Sequence, residues 1–117
     1  MKRNNVNLLS AGTLKGTDVV NEAGENLGEL EEIMLDLNNG RVAYAVLSFG
    51  GLMGLGDKFF AVPWQAFTLN QNREELILNV NKEVLENAPG FDKHNWPQVA
   101  TSAWLDNVYS HYGYSYS

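Results

Sequence analysis

The stretch Met34-Leu-Asp-Leu-Asn-Asn-Gly-Arg-Val-Ala-Tyr-Ala-Val-Leu47 decides how this chain folds. Asn39-Gly40 is the strongest short signal for a β-hairpin, because a tight reversal needs residues that tolerate a positive φ. The segment that follows, from Arg41 to Phe49, is rich in β-branched and aromatic side chains, which pack well on a pleated surface. The sequence therefore predicts a hairpin that turns at Asn38-Asn39-Gly40 and has a strand on each side.

The strand after the turn is apolar on both faces. Alternate residues of a strand point to opposite faces. The two sets are Val42, Tyr44 and Val46 on one face and Ala43, Ala45, Leu47 and Phe49 on the other. A strand that is apolar on both sides needs a cover on both sides. We expect this strand to be central, with a barrel interior on one face and another segment or subunit on the other.

The strand before the turn is ambiguous from local pattern. Apolar residues between Leu27 and Leu37 recur at helical spacings, and the glutamates between them are good helix formers. Against a helix, Gly28 would lie in its first turn, and the apolar residues alternate after Ile33. A strand with a bulge near Glu31-Glu32 would account for the broken alternation. Local pattern leaves helix and strand both open.

The rest of the chain predicts short elements separated by turns. In order they are a turn at 10–16, the apolar pair Val19-Val20 with a turn at 21–25, strands at 58–62, 64–69 and 76–80, and two helices. The first helix covers 82–87 with Asn81 as its N-cap, and the second covers 99–108. Six short strands without a long helix between them are typical of a small antiparallel barrel.

Composition limits the classes of function. At 117 residues the chain has the length of one domain with one core. Its net charge is −6 and its densest basic cluster is Lys2-Arg3, so nucleic acid is not an expected partner. The sequence contains no cysteine, which fits a reducing compartment. Leu8-Leu9 is too short for a signal peptide or a membrane span, and we expect a cytoplasmic location.

Three stretches together resemble the PRC-barrel family, named after the cytoplasmic domain of the photosynthetic reaction-centre H subunit. They are Gly24-Glu-Asn-Leu-Gly-Glu-Leu, Met34 to Leu47, and Ala61-Val-Pro-Trp. The resemblance covers roughly residues 8–88 and implies a six-stranded barrel, a strand at 27–37 and an adaptor role. We accordingly predict a loose lead-in at 1–9, a PRC-barrel domain at 10–88, and a C-terminal extension at 89–117 with a mobile end.

The glycine-rich segment Gly50-Gly-Leu-Met-Gly-Leu-Gly56 is the most suggestive candidate site. It lacks the Lys-Ser/Thr pair and the following helix of a phosphate-binding loop, so phosphate binding is not favoured. Leu52, Met53 and Leu55 are predicted either to fold back over one barrel end or to contact a second subunit or partner. We take these three as the candidate partner-binding residues.

No group of residues in the sequence predicts catalysis, a cofactor or a metal. Glu29, Glu31 and Glu32 are interpreted as a solvated charged face, because no histidine is placed to converge on them. His94 and His111 are isolated, and a lone histidine is poor evidence for a site. We expect no cofactor.

The remaining polar and aromatic residues have structural interpretations. Asp36 and Arg41 flank the hairpin turn and are interpreted as an exposed pair of little energetic value. Trp64 and Trp96 are predicted to be core anchors, with ligand stacking as the alternative. The tyrosine-rich segment 109–116 is predicted to be a disordered tail, with addition to a neighbouring molecule as an edge strand as the alternative.

These observations predict a non-enzymatic interaction or adaptor module that self-associates as a homodimer. The sequence does not identify the pathway in which it acts. The alternative is an accessory role in RNA processing like that of the ribosome-maturation branch of the family, or binding of a small ligand in the barrel. The acidic charge counts against RNA contact, and it leaves docking to a ribosomal protein possible.

Overall fold

The computed structural model describes residues 8–49, 58–70, 72–88, 90–92 and 101–116. These residues form three α-helices, seven strands and one 3-10 turn. In chain order they are α1 (Ala11–Leu14), β1 (Asp18–Val20), β2 (Asn26–Asp36), β3 (Arg41–Phe49), β4 (Lys58–Val62), the 3-10 turn (Trp64–Ala66), β5 (Phe67–Asn70), β6 (Glu75–Leu78), α2 (Lys82–Glu86), β7 (Gly90–Asp92) and α3 (Ser102–His111).

All seven strands belong to one sheet, in the order β5-β6-β1-β2-β3-β4-β7. Neighbouring strands are antiparallel except β1 and β6, which are parallel. In the described residues β5 and β7 are the two edges, and the sheet does not close into a barrel. The predicted mainly β class is confirmed. The predicted number of strands, the purely antiparallel pairing and the closed barrel were wrong. β7 is too short to show a sequence pattern, and β1 pairs with a strand that is distant in the chain. Neither feature could therefore be predicted from local sequence.

The register of β2 and β3 settles the ambiguous segment. Leu30 pairs with Leu47 and Glu32 pairs with Val46, so Glu31 is the extra residue of a bulge. The strand, its bulge and the hairpin at Asn38-Asn39-Gly40 are therefore confirmed, and the helix alternative was wrong.

A second register shift moves Ala43 to a different face from the one predicted. Met34 pairs with Tyr44 and Leu35 pairs with Val42, which leaves Ala43 without a cross-strand partner. Ala43 packs in the same cluster as Tyr44, whereas strict alternation placed the two on opposite faces. The sequence contains no turn residue that would have indicated this second bulge.

Gly28 is required where β2 crosses β3. Its φ is +123°, and a Cβ at this position would lie 2.0 Å from the carbonyl oxygen of Ser48. Any other residue would force the two backbones apart, because no flexible side chain can move out of the way. The glycine of the Leu-Gly-Glu stretch thus fixes the close contact between these strands.

The sheet packs a hydrophobic cluster on each face. The inner face carries the larger cluster, to which α1, α2 and the strands from β1 to β6 contribute. On the outer face α3 packs Leu105, Val108 and Tyr109 against residues of β3 and β4. The prediction that β3 is covered on both faces is confirmed for the part of the strand that pairs with β4, and the outer cover is a segment of the same chain.

The boundaries of the shorter elements are set by local caps and turns. Asn81 caps α2 as predicted, because its Oδ1 accepts a hydrogen bond from the Val84 amide at 2.9 Å. The expected strand at 64–69 begins instead with the 3-10 turn, and only its second half is a strand. α3 starts later than predicted, because Thr101 accepts a hydrogen bond from the Trp104 amide at 3.1 Å and acts as its N-cap.

Candidate functional site

The far half of the β2–β3 hairpin projects beyond the rest of the sheet. Pairing with β1 extends along β2 only from Asn26 to Glu29, and pairing with β4 extends along β3 only from Phe49 back to Ala45. Residues 34–44, called the ribbon below, pair with no other strand of the described residues. An isolated two-stranded hairpin is marginally stable in water, so other contacts must stabilise the ribbon.

Asp36 organises the turn of the ribbon. One carboxylate oxygen accepts hydrogen bonds from the amides of Asn38 at 3.0 Å and Asn39 at 3.1 Å, and the other accepts one from the Asn39 side chain at 2.8 Å. The Gly40 amide donates to the carbonyl of Asp36 at 2.9 Å, and Gly40 has a φ of +65°. Aspartate and asparagine commonly close turns in this way.

Tyr109 of α3 anchors the outer face of the ribbon. Its hydroxyl donates a 2.5 Å hydrogen bond to the carbonyl of Ala43, the residue that the second bulge leaves without a cross-strand partner. The Tyr109 side chain is only 1% exposed. A buried carbonyl needs a donor, and the helix supplies it at the point where the ladder is interrupted.

Tyr116 joins the chain end to both strands of the ribbon. Its hydroxyl donates to Asp36, and its carbonyl accepts a 2.7 Å hydrogen bond from Arg41. The Arg41 guanidinium lies 4.1 Å from the centre of the Tyr116 ring, which is a cation–π geometry. The expected Asp36–Arg41 pair is replaced by this cluster: the only salt bridge of the described residues joins Lys15 and Glu32.

The cluster changes the acidity of both its titrating groups. The hydrogen bonds from Tyr116 and then Asn39 lower the pKa of Asp36 to about 2. Burial, followed by the hydrogen bond to Asp36, raises the pKa of Tyr116. The contact between an ionised carboxylate and a neutral phenol is therefore retained across the whole neutral pH range.

The inner face of the ribbon has no comparable cover in the described residues. Leu35 and Val42 are cross-strand partners, so they share the face opposite to Asp36 and Arg41. Leu35 is 63% exposed and Leu37, in the turn, is 87% exposed. We call Leu35 and Val42, together with Leu37 in the turn beyond them, the tip face.

Neither of two clefts among the described residues brings together a catalytic group of side chains. One of about 390 Å³ lies between the ribbon and α3, and its lining includes Leu35 and Leu37 at the end of the hairpin as well as Met34, Tyr44 and Leu105. The other, of about 570 Å³, lies between α1 and the β5–β6 hairpin. In the part of the chain that is described, no three His, Asp or Glu side chains are placed to hold a metal ion. His111 contacts the carbonyl of Val84 at 2.9 Å.

The predicted partner-binding residues are not among those that the structure describes. Leu52, Met53 and Leu55 lie outside the described residues, as do His94 and Trp96. The tyrosine-rich segment 109–116 was expected to be a disordered tail, whereas Tyr109 and Tyr116 pack on the ribbon through their rings and polar contacts rather than aliphatic side chains. In the sequence, the leucines of the tip face could be recognised only as part of the strand pattern.

Residues 7–85 match the family model of the PRC-barrel domain. The match covers more than half of the chain, and the chain belongs to the PRC-barrel family. No curated protein is similar enough to the chain to count as a relative. The ribbon lies inside the matched region, whereas α3 and Tyr116 lie beyond it. Among the described helices, none has the length and apolar character needed to cross a membrane.

Proposed function

We propose that this PRC-barrel protein is a non-enzymatic interaction module that docks to other macromolecules through the tip face. The observation that carries the proposal is the pair of exposed leucines, Leu35 and Leu37, on a ribbon whose opposite face is fixed by Tyr109 and Tyr116. A rigid support reduces the conformational entropy that is lost on binding, so a small apolar surface contributes more to affinity.

The cost of the exposed leucines supports a binding role. Fully burying a leucine contributes roughly 1.5–3 kcal/mol, and a ribbon that leaves two of them in water forgoes most of that energy. Scattered exposed apolar residues are common on proteins, but here two lie within three positions at the end of a projecting hairpin. Self-association is part of the proposal, as is action in the cytoplasm, which the lack of cysteine supports.

A photo-crosslinking amino acid placed at position 37 in cells tests the docking role. We expect one discrete adduct, whose yield falls when Leu35→Ser is introduced into the same chain. The matched control carries the crosslinker at Leu8, which is 82% exposed and lies outside the ribbon. No adduct from position 37, or equal adducts from both positions, would contradict a docking role for the tip face.

A further inference from the structure

We infer that residues 101–116, called the clamp below, open reversibly as a unit while the sheet and its inner cluster stay folded. The clamp comprises α3, its N-cap Thr101 and the residues up to Tyr116. Opening uncovers the outer face of β3 and β4, and it withdraws Tyr109 and Tyr116 from the ribbon. The inference goes beyond docking at the tip face and does not depend on it.

Every attachment of the clamp to the rest of the described chain uses a side chain. The backbone hydrogen bonds of residues 101–116 run within that segment, whereas neighbouring strands are joined by backbone ladders. α3 buries three side chains, which are Leu105, Val108 and Tyr109. The polar contacts of the clamp are made by Tyr109, His111 and Tyr116. A segment held by so few buried contacts opens at a lower free energy than the core strands.

The sheet keeps a core of its own when the clamp opens. The inner cluster is distinct from the outer one, and among the residues of the clamp only Tyr112, which is partly buried, packs against it. The fully buried inner residues, such as Leu27, Leu47 and Val62, come from strands of the sheet. A sheet of several strands with an apolar face packed against helices is stable without a second cover.

Two hydroxyl groups of the clamp act in opposite directions on its closed state. The Tyr109 hydroxyl donates to the carbonyl of Ala43, a bond that exists only while the clamp is closed. The Tyr112 hydroxyl is buried and has no hydrogen-bond partner among the described residues. Water solvates this hydroxyl once the clamp opens, so its burial penalises the closed state. The penalty lowers the free energy that is needed to open the clamp.

Single cysteines test the inference, because the chain has no cysteine and a buried thiol reacts with a soluble disulfide reagent only when it is uncovered. Val46→Cys places the thiol on the outer face under α3, and Val62→Cys places it on the inner face of the neighbouring strand. Both valines are 0% exposed. We expect position 46 to react at least about tenfold faster than position 62. Dilute urea should change the rate at position 46 little and raise that at position 62 with the slope of complete unfolding.

Three substitutions in the Val46→Cys chain identify the opening. Tyr109→Phe removes the bond of the closed state and should speed the reaction at position 46 about 5–10-fold. Tyr112→Phe removes the penalty and should slow it by up to about fivefold. The control Leu69→Ala weakens the inner cluster from β5, at the other edge of the sheet. It should change the rate at position 46 by less than about twofold, whereas in the Val62→Cys chain it should speed the reaction about tenfold.

Hydrogen exchange of the parent chain makes the same comparison without any substitution. The amides of Val108 and Tyr109 should exchange through an opening of lower free energy than the amides of β3. Equal exchange in α3 and β3, or equal rates and urea slopes at positions 46 and 62, would show that the clamp opens only when the whole fold unfolds. A rate at position 46 that Tyr109→Phe leaves unchanged, or that Leu69→Ala raises as much as it raises position 62, would also overturn the inference. None of these results depends on an adduct from position 37, so the docking function stands or falls separately.

Discussion

Two identical substitutions near the C-terminal end of α3, Tyr109→Phe and Tyr112→Phe, should differ in their effect on stability. Tyr109→Phe keeps the buried ring and its 5.1 Å edge contact with Tyr116, but removes the donor to the carbonyl of Ala43. Ala43 is only 7% exposed, so water has little access to replace the lost donor. A buried carbonyl without a partner costs about 1–3 kcal/mol, and we expect a loss of that size.

Tyr112→Phe is the matched control. The Tyr112 hydroxyl is buried and has no hydrogen-bond partner in the described part of the chain, and burial raises its pKa. Removing this hydroxyl eliminates a desolvation cost and sacrifices no hydrogen bond. We expect the variant to be as stable as the parent chain or more stable by about 1 kcal/mol.

Urea unfolding measures both variants. With a slope of about 1–3 kcal/mol per molar urea, Tyr109→Phe should lower the midpoint by roughly 1 M, and Tyr112→Phe should leave it unchanged or raise it. The slopes of the three proteins must agree for the midpoints to be compared. Equal shifts of the two variants, or a larger loss for Tyr112→Phe, would refute the assignment of Tyr109 as the donor that completes the bulge.

Four further predictions concern the sheet, the cluster at the turn and α2. Gly28→Ala places a Cβ 2.0 Å from a carbonyl oxygen of β3 and should cost at least about 3 kcal/mol in thermal unfolding, whereas Gly12→Ala, with open space around it, should cost less than about 1 kcal/mol. Because the pKa of Asp36 is lowered, its contribution to the stability of the fold should be fully present above about pH 4 and lost as the pH falls towards 2. Asp36→Asn should abolish this contribution in unfolding curves recorded against pH, and an unchanged pH dependence would contradict it. Because the pKa of Tyr116 is raised, the fold should also lose stability as the pH rises above 10, and the Tyr116→Phe variant should not show this loss. Asn81→Ala should lower the free energy of unfolding in urea by about 1 kcal/mol, and no change would argue against the cap.

Local chemistry made the centre of the fold predictable. Adjacent residues determine the turn at Asn39-Gly40 and the aromatic strand after it. They also determine the broken alternation that marks Glu31 as a bulge. The helix-like spacing before the turn arose because that bulge adds one residue to an alternating pattern. Family resemblance then decided for a strand, and residues 7–85 match the family.

The arrangement of the ribbon could not be predicted from local pattern. Tyr116 contacts Asp36 and Arg41 across about two thirds of the chain, and no periodicity connects residues at that separation. The tail contains few aliphatic residues, which is the usual sign of a segment that stays in solvent. Its contacts use aromatic rings, a phenol and a backbone carbonyl, so a measure of aliphatic content misses them.

The extension beyond the family domain explains why the ribbon is exposed on only one face. Tyr44 and Val46 of β3 lie inside the family match, but Leu105 and Val108, which cover them, lie beyond it. A boundary at residue 88 therefore separates an apolar sheet face from its cover. Because α3 and Tyr116 cover the outer face, Leu35 remains exposed on the inner one. The C-terminal extension thus leaves the proposed docking surface on a single face of the hairpin.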